Sequence, residues 1–305
     1  MTLFPRPEAN PSDDPTGAVV LAQSKGASTN TIVVIGAGTM GAGIAASASA
    51  VGCEVYLVEP AAAARERAAA GLTKTLGRLL PDAATAEAAF GRIHLVESVA
   101  KASPADLYLE AVPEVLDLKR TVFAELDRVA PADALLATNT SSLAVGEIAR
   151  PTGRAQNVVG IHFFNPPAVM KLVEVVRAEQ SSDESVRRAV EFVERLGKTP
   201  VVVRDTPGFV VNRVARPYYL EALRAIDAGA ADAEGVDAVL EGLGFKMGPC
   251  RLMDLIGLDV NLATTRSVYE ATHVERLRPS PLQERMVAEG RLGRKSSRGF
   301  YDYGA

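Results

Sequence analysis

The sequence predicts an α/β fold: an N-terminal doubly wound, mostly parallel sheet over residues 30–204, followed by an all-α C-terminal domain over residues 205–305. Three observations lead there. Short apolar runs alternate with helix-length segments as far as residue 204, the pattern of βαβ units whose sheet is covered on both faces. A glycine-rich turn joins the first apolar run to the first helical segment. Beyond Asp205-Thr206-Pro207-Gly208 the strand pattern fades and helical periodicity takes over.

The opening unit is the most informative stretch. Thr31-Ile32-Val33-Val34-Ile35 has the length and apolarity of a buried strand, and Gly36-Ala37-Gly38-Thr39-Met40-Gly41 follows at once. A small-residue segment able to be helical runs to Val51, then Glu54-Val55-Tyr56-Leu57-Val58 reads as a second strand and ends on Glu59. Strand, G-x-G-x-x-G turn, helix, strand and acid form the Rossmann dinucleotide-binding unit. Gly36 permits the tight turn, Gly38 leaves room for a pyrophosphate against the backbone, and Gly41 lets the helix approach the sheet. Thr39 and Met40 lie at the helix N-terminus, whose unpaired N–H groups attract phosphate. Glu59 stands 18 positions after Gly41, near the ~20 expected of the acid that binds the adenine ribose. A carboxylate there accepts from two hydroxyls and repels a 2′-phosphate, which predicts NAD rather than NADP as cofactor.

The remaining elements follow in order. Residues 1–29 carry Pro5, Pro7, Pro11 and Pro15 and lack a basic start followed by an apolar core; they predict a disordered extension rather than a signal peptide. Residues 61–80 read as a helix whose Arg65, Arg67, Lys74 and Arg78 form a solvated face. Residues 81–91 are Ala-rich and ambiguous. Strands are expected at 93–96, 107–112, 135–138, 158–164, 171–176 and 201–203. Helices are expected at 119–129, with Val122, Leu126 and Val129 on its apolar stripe, and at 185–196. In the second domain 209–228 is long and apolar enough to be a buried helix. Further helices are expected at 233–241, 259–272 and 281–289, with Gly248-Pro249 and 279–281 as punctuation.

Composition narrows the function classes. The chain is 48% hydrophobic and 23% charged, and 33 Lys plus Arg against 37 Asp plus Glu give a net charge of −4. That balance argues against nucleic acid or an anionic membrane as partner. No apolar run reaches the ~18 residues of a membrane span. Cys53 and Cys250 lie far apart, which predicts buried thiols in a reducing, cytoplasmic compartment rather than a disulfide. With three histidines and no Cys/His spacing, no metal site is expected.

Ligands of open α/β sheets sit beyond the carboxyl ends of the strands. Three polar groups fall there: residues 110–114, 139–142 and 162–165. His162 lies within an apolar strand, and Glu174 lies within another, 12 residues on. A carboxylate buried in a strand requires a partner. If the turn at 165–170 brings the two together, Glu174 accepts from one imidazole nitrogen and readies the ring for proton transfer.

These residues carry a resemblance. Asn139-Thr140-Ser141-Ser142-Leu143, His162-Phe163-Phe164-Asn165-Pro166-Pro167, Lys171-Leu172-Val173-Glu174, residues 205–213, Met247-Gly248-Pro249, residues 254–259 and Gly293-Arg294-Lys295 with Gly299-Phe300-Tyr301 resemble the short-chain L-3-hydroxyacyl-CoA dehydrogenases, which include the bacterial 3-hydroxybutyryl-CoA dehydrogenases. The resemblance implies a Rossmann domain and a helical domain that forms a homodimer, with the site in the cleft between them. It implies His162 as the proton-transfer group paired with Glu174, Ser141 and Asn212 as hydrogen-bond partners of the substrate oxygens, and Glu114, Lys119, Ser141, Asn165 and Lys295 on the nicotinamide half of NAD. It implies an acyl-CoA substrate, with Thr75 as one contact, and a role in fatty-acid metabolism such as β-oxidation. The chain departs from the family where a CoA-contacting lysine is usual, near Asp82, and has Arg251 and Ser296-Ser297 where an acid and Thr-Gly are more common. Two other functions remain open on the same fold: oxidation of a free hydroxy acid such as a sugar acid, and non-catalytic dinucleotide binding.

Overall fold

The structure, a computed structural model, describes residues 30–304. The extension expected over residues 1–29 lies outside the described residues. In chain order the elements are β1 (Thr31–Ile35), α1 (Thr39–Ala50), β2 (Glu54–Val58), α2 (Ala62–Leu79), α3 (Ala83–Gly91), β3 (Ile93–Val96), β4 (Leu107–Glu110), α4 (Leu116–Val129), β5 (Leu135–Thr138), α5 (Val145–Ala149), β6 (Val158–Phe163), β7 (Leu172–Arg177), α6 (Asp183–Arg195) and β8 (Thr199–Arg204). The helical part holds α7 (Val211–Asp227), α8 (Ala233–Gly242), α9 (Pro249–Ile256), α10 (Leu258–Thr272) and α11 (Pro281–Ala288).

The strands form one sheet in the order β3-β2-β1-β4-β5-β6-β7-β8. Its first six places follow the doubly wound order of nucleotide-binding sheets. Every neighbouring pair is parallel except β6 and β7. The short 164–171 connection permits only antiparallel pairing, because a parallel return needs a long crossover. Helices α1, α2, α3 and α6 cover one face through Ile44, Leu72, Leu76, Ala89 and Phe192. Phe123, Leu126, Val145 and Ile148 cover the other. Each such fully buried apolar side chain contributes ~1.5–3 kcal/mol.

Several expectations are corrected. Residues 81–91, ambiguous in sequence, form α3, whose N-cap Asp82 accepts from the Thr85 amide at 2.8 Å. β4 stops at Glu110 because residues 111–114 turn away toward α4. The buried stripe of α4 is Lys119, Phe123 and Leu126. Val129, expected on it, is 45% exposed. α7 begins at Val211 rather than 209, because Gly208 and Phe209 take left-handed backbone angles, with φ of 72° and 48°. Nor is α7 buried throughout: Val214 is 69% exposed. α5 and α9 were not anticipated. Gly248-Pro249, read as punctuation, is the N-cap and first residue of α9, a helix start that proline favours. The Asp237 carboxylate supplies the cap, accepting from the amides of Cys250 (2.8 Å) and Arg251 (3.0 Å). Among the described residues no disulfide forms, and Cys53 and Cys250 are both buried.

α1 meets the sheet closely enough that a Cβ on Gly41 would lie 1.8 Å from the Gly36 carbonyl oxygen. Only a glycine fits without moving backbone. Gly41→Ala is expected to lower unfolding stability by about 1–3 kcal/mol, read as a shift of the denaturant midpoint at unchanged m-value.

Candidate active site

The glycine turn leaves β1 with Gly36 at φ 103°, and a Cβ there would lie 2.8 Å from the Ala111 carbonyl oxygen. At Gly38 a Cβ would meet nothing within 4 Å, so open space lies against this backbone. Gly38 is the N-cap of α1, which has no side-chain cap and no acid in its first turn, where Thr39 and Met40 stand. The N–H groups there keep their capacity for an anion. Glu59 stands at the end of β2, its Oε2 accepting from the Ala37 amide at 3.3 Å and its Oε1 from the Ala61 amide at 3.2 Å. An open phosphate cradle with a carboxylate beside the same turn fits NAD.

A second group forms where β6 and β7 run antiparallel. His162 pairs with Glu174 in register. Directly opposed residues project on the same face of a sheet. His162 Nδ1 lies 2.8 Å from Glu174 Oε2. The other carboxylate oxygen, Oε1, accepts from the amides of Val210 (3.0 Å) and Val211 (2.9 Å), so Glu174 caps the N-terminus of α7. Burial alone would raise the Glu174 pKa. The His162 hydrogen bond, the Val211 amide, the His162 charge and the Val210 amide outweigh it and hold the carboxyl below its ordinary range. An ionised carboxylate only accepts, so Nδ1 carries a hydrogen, and in the neutral form of the ring Nε2 is the acceptor. His162 is 5% exposed, and its ring contacts those of Phe164 and Phe209, at 4.5 and 5.7 Å between centroids.

The third group is the loop after β5. Glu114 Oε1 accepts from the Thr140 hydroxyl (2.7 Å), the Ser141 amide (2.8 Å) and hydroxyl (3.2 Å), and the Ser142 amide (3.0 Å). Buried Lys119 bridges Glu110 at 2.7 Å and Glu114 at 3.3 Å. The two acids respond differently. Burial dominates at Glu110 and raises its pKa despite Lys119. At Glu114 burial is outweighed by Lys119, Thr140 and the Ser141 and Ser142 amides, and the pKa falls. Asn139 Oδ1 accepts from the Phe163 amide at 2.9 Å, tying this loop to β6. From the helical side, Asn212 Nδ2 donates to the Ser141 carbonyl at 3.1 Å.

Contacts therefore link His162 with Glu174, Glu174 with the start of α7, Asn212 with Ser141, and Ser141 with Glu114 and Lys119. Asn165 stands just beyond β6, at the cis Asn165–Pro166 bond. Lys295 pairs with Asp259 at 2.5 Å in the helical domain. Thr75 is half-buried on α2. No hydrogen bond or ion pair among the described residues joins Thr75 or Lys295 to the His162 group. Sequence reasoning placed Glu110 in the polar group 110–114 without giving it a role, and did not single out the Val210 and Val211 amides or Arg216. Glu110 had a signal, as an acid ending an apolar strand. The amides had none, since backbone groups leave no trace in composition. Among the described residues no group of three metal-ligating side chains occurs, and no helix is long and apolar enough to cross a membrane.

Two family models and several known proteins match this chain. Residues 31–206 match the NAD-binding domain of 3-hydroxyacyl-CoA dehydrogenase, and residues 208–303 match the C-terminal domain of 3-hydroxyacyl-CoA dehydrogenase. The 3-hydroxyadipyl-CoA dehydrogenase of Escherichia coli is 46% identical over 283 residues, 90% of this chain. The chain spans 59% of that relative's length. A probable 3-hydroxybutyryl-CoA dehydrogenase of Deinococcus radiodurans is 40% identical over 88% of this chain and 99% of its own length. The crystal structure of (S)-3-hydroxybutyryl-CoA dehydrogenase from Ralstonia eutropha superposes with a TM-score of 0.87 at 37% identity, covering 91% of this chain and all of the other (100%).

The Glu174 pKa lies below its ordinary 4.5 in the folded chain. Its stabilising contribution is fully present above that value and is lost as pH falls through the depressed folded pKa. Glu174→Gln is expected to be less stable at neutral pH and to lose less stability than wild type between pH ~5 and ~3. Denaturant melts across that window read the difference.

Proposed function

The chain belongs to the 3-hydroxyacyl-CoA dehydrogenase family, and from that premise we propose that it interconverts (S)-3-hydroxyacyl-CoA and 3-oxoacyl-CoA with NAD, on short acyl chains such as 3-hydroxybutyryl-CoA. The observation that carries this reading is the buried His162–Glu174 pair, whose carboxylate also receives the Val210 and Val211 amides that lead into Asn212 and its contact with Ser141. In the oxidation, the 3-hydroxyl gives its proton to Nε2 while the C3–H bond breaks and its electron pair leaves as hydride. The C3–O bond becomes a carbonyl. When bound, NAD supplies the hydride acceptor.

Glu174 holds the imidazole tautomer and stabilises the imidazolium that forms. The Ser141 hydroxyl and the Asn212 amide orient the substrate oxygens. Gly36, Gly38, Thr39, Met40 and Gly41 take the pyrophosphate and Glu59 the adenine ribose. Glu114, Lys119, Asn165 and Lys295 take the nicotinamide half. On this reading residues 30–204 bind nucleotide, and residues 205–305 complete the substrate cleft and dimerise. Val210, Val214 and Phe245 are exposed around a groove of about 590 Å³ in the helical domain, which supports pairing with a second copy there. Buried, unbridged thiols support a reducing, cytoplasmic setting, and the chemistry suits fatty-acid breakdown.

A second reading, a free hydroxy acid as substrate, draws on Asp82. Where the resemblance calls for a CoA-binding lysine, this chain has an acid engaged in capping α3. Strong turnover of a free hydroxy acid with none of the thioester would favour it over the first.

His162→Ala is expected to reduce kcat for acetoacetyl-CoA reduction by about 10²–10⁴-fold. NADH affinity, read by fluorescence titration, should stay within about threefold of wild type, since general-base loss leaves cofactor binding intact.

A further inference from the structure

Three cations are buried among the described residues: Lys119, Lys198 and Arg216. Lys198 donates to the Pro167 and Met170 carbonyls, and Arg216 to the Asn212 and Asn261 carbonyls and the Thr265 hydroxyl. These acceptors are all neutral. Lys119 alone meets carboxylates, and it meets two. Its Nζ donates to Glu110 Oε1 at 2.7 Å and to the Val112 carbonyl at 3.3 Å, and lies 3.3 Å from Glu114 Oε2. Three acceptors match the three hydrogens of an ammonium. One carboxylate would neutralise that charge. Two leave the cluster with one net negative charge.

The hydrogen bonds of Glu110 are those of an ionised group. It is fully buried at the end of β4. Lys119 and the Val112 amide donate to its Oε1, both at 2.7 Å, and the Thr138 hydroxyl donates to its Oε2 at 2.7 Å. The Thr138 oxygen itself accepts from the Thr140 amide at 3.2 Å, which directs the hydroxyl hydrogen at Glu110. A protonated carboxyl would need an acceptor among these partners, and each of them donates. Burial pushes the Glu110 pKa up against these donors. Glu114 gathers the Thr140 hydroxyl and the Ser141 and Ser142 amides on one oxygen and is ionised in the same way.

The cluster is joined to both ends of the site. The Ala111 amide, next to Glu110, donates to the Ile35 carbonyl at 2.7 Å, and a Cβ on Gly36 would lie 2.8 Å from the Ala111 carbonyl oxygen, so this segment walls the glycine turn. The Asn139 amide donates to the Glu110 carbonyl at 2.8 Å, and Asn139 Oδ1 receives the amide of Phe163, the neighbour of His162. A hydride carrier held by the turn and reacting beside His162 needs its redox ring near this charge. The nicotinamide ring is cationic when oxidised and neutral when reduced. Resting on the reading that NAD is the cofactor and that Glu114 and Lys119 take its nicotinamide half, we propose that Glu110 sets the balance between the two redox forms: the second carboxylate leaves the cluster negative and so tightens oxidised NAD relative to NADH. Glu110 acts through Lys119 and Glu114 and is a positioning residue rather than a catalytic one.

The test measures dissociation constants for NAD+, NADH and ADP-ribose by titration calorimetry at pH 8, well above the ordinary 4.5 of a glutamate. Glu110→Gln keeps the shape of the side chain: its oxygen can accept from Lys119 and Val112, and its amide can donate to the Thr138 hydroxyl. This variant should raise the ratio of Kd for NAD+ to Kd for NADH by about tenfold, the scale of one unit charge in a partly screened site. ADP-ribose, which lacks the ring, should stay within about twofold, and Glu110→Asp, which keeps the charge, should hold the ratio near wild type. Lys119→Gln removes the cation and should move the ratio the opposite way. An unchanged ratio in Glu110→Gln overturns the proposal. Parallel losses on all three ligands also overturn it, since a purely structural role predicts that pattern. If Glu110→Gln fails to fold, an unchanged or raised ratio in Lys119→Gln is enough to overturn it. Wild type that binds neither NAD+ nor NADH removes the underlying reading, a result distinct from binding without a shift.

Discussion

One carboxylate joins the two halves of this protein. Glu174 receives His162 Nδ1 on one oxygen and the first amides of α7 on the other. It sits in β7, the strand that runs against the parallel sheet. At 1% exposure it could not remain charged unless its lone pairs were answered. The contacts that keep it ionised also orient the imidazole and anchor the helical domain. Imidazole geometry and helix placement therefore depend on the same buried charge.

A parallel logic governs the loop after β5. Residues 140–142 converge on one oxygen of Glu114, and Lys119 sits between that acid and Glu110. Helix α4 thus carries a lysine on its buried stripe, where a periodicity argument expects an apolar residue. Its charge is tolerated because two carboxylates flank it. The loop is held from beneath, by Glu114, and from the helical side, by Asn212. Support of this kind keeps the Ser141 hydroxyl in place without a rigid secondary element of its own.

The helical domain repeats the device with backbone. Asp237 caps α9, and Asp254 accepts from the amides of Phe300 and Tyr301, both at 3.0 Å. The C-terminal segment that carries Lys295 is thereby fastened to α9. Arg216 stands apart from these closed arrangements, because its contacts leave its charge unanswered.

Much of this was legible in the chain of residues. The glycine turn, its flanking strands and Glu59 stand close together in sequence, so local spacing alone determined the nucleotide end. Strands β1, β2, β3 and β5 were readable to the residue because buried parallel strands are short, continuous apolar runs. His162 and Glu174 were both conspicuous as polar residues in apolar strands, but their contact required the register of β6 against β7, which a slip of one residue would have destroyed. The buried stripe of α4 was misplaced because Lys119 looks like a surface residue until its two acids are seen. α9 was missed because its cap comes from Asp237, on the preceding helix. What the sequence determined were the features whose partners lie nearby along the chain. The capping of α7 by Glu174, the lysine bridge and the unanswered guanidinium were decided only by tertiary structure, because buried charge is judged by what surrounds it in space.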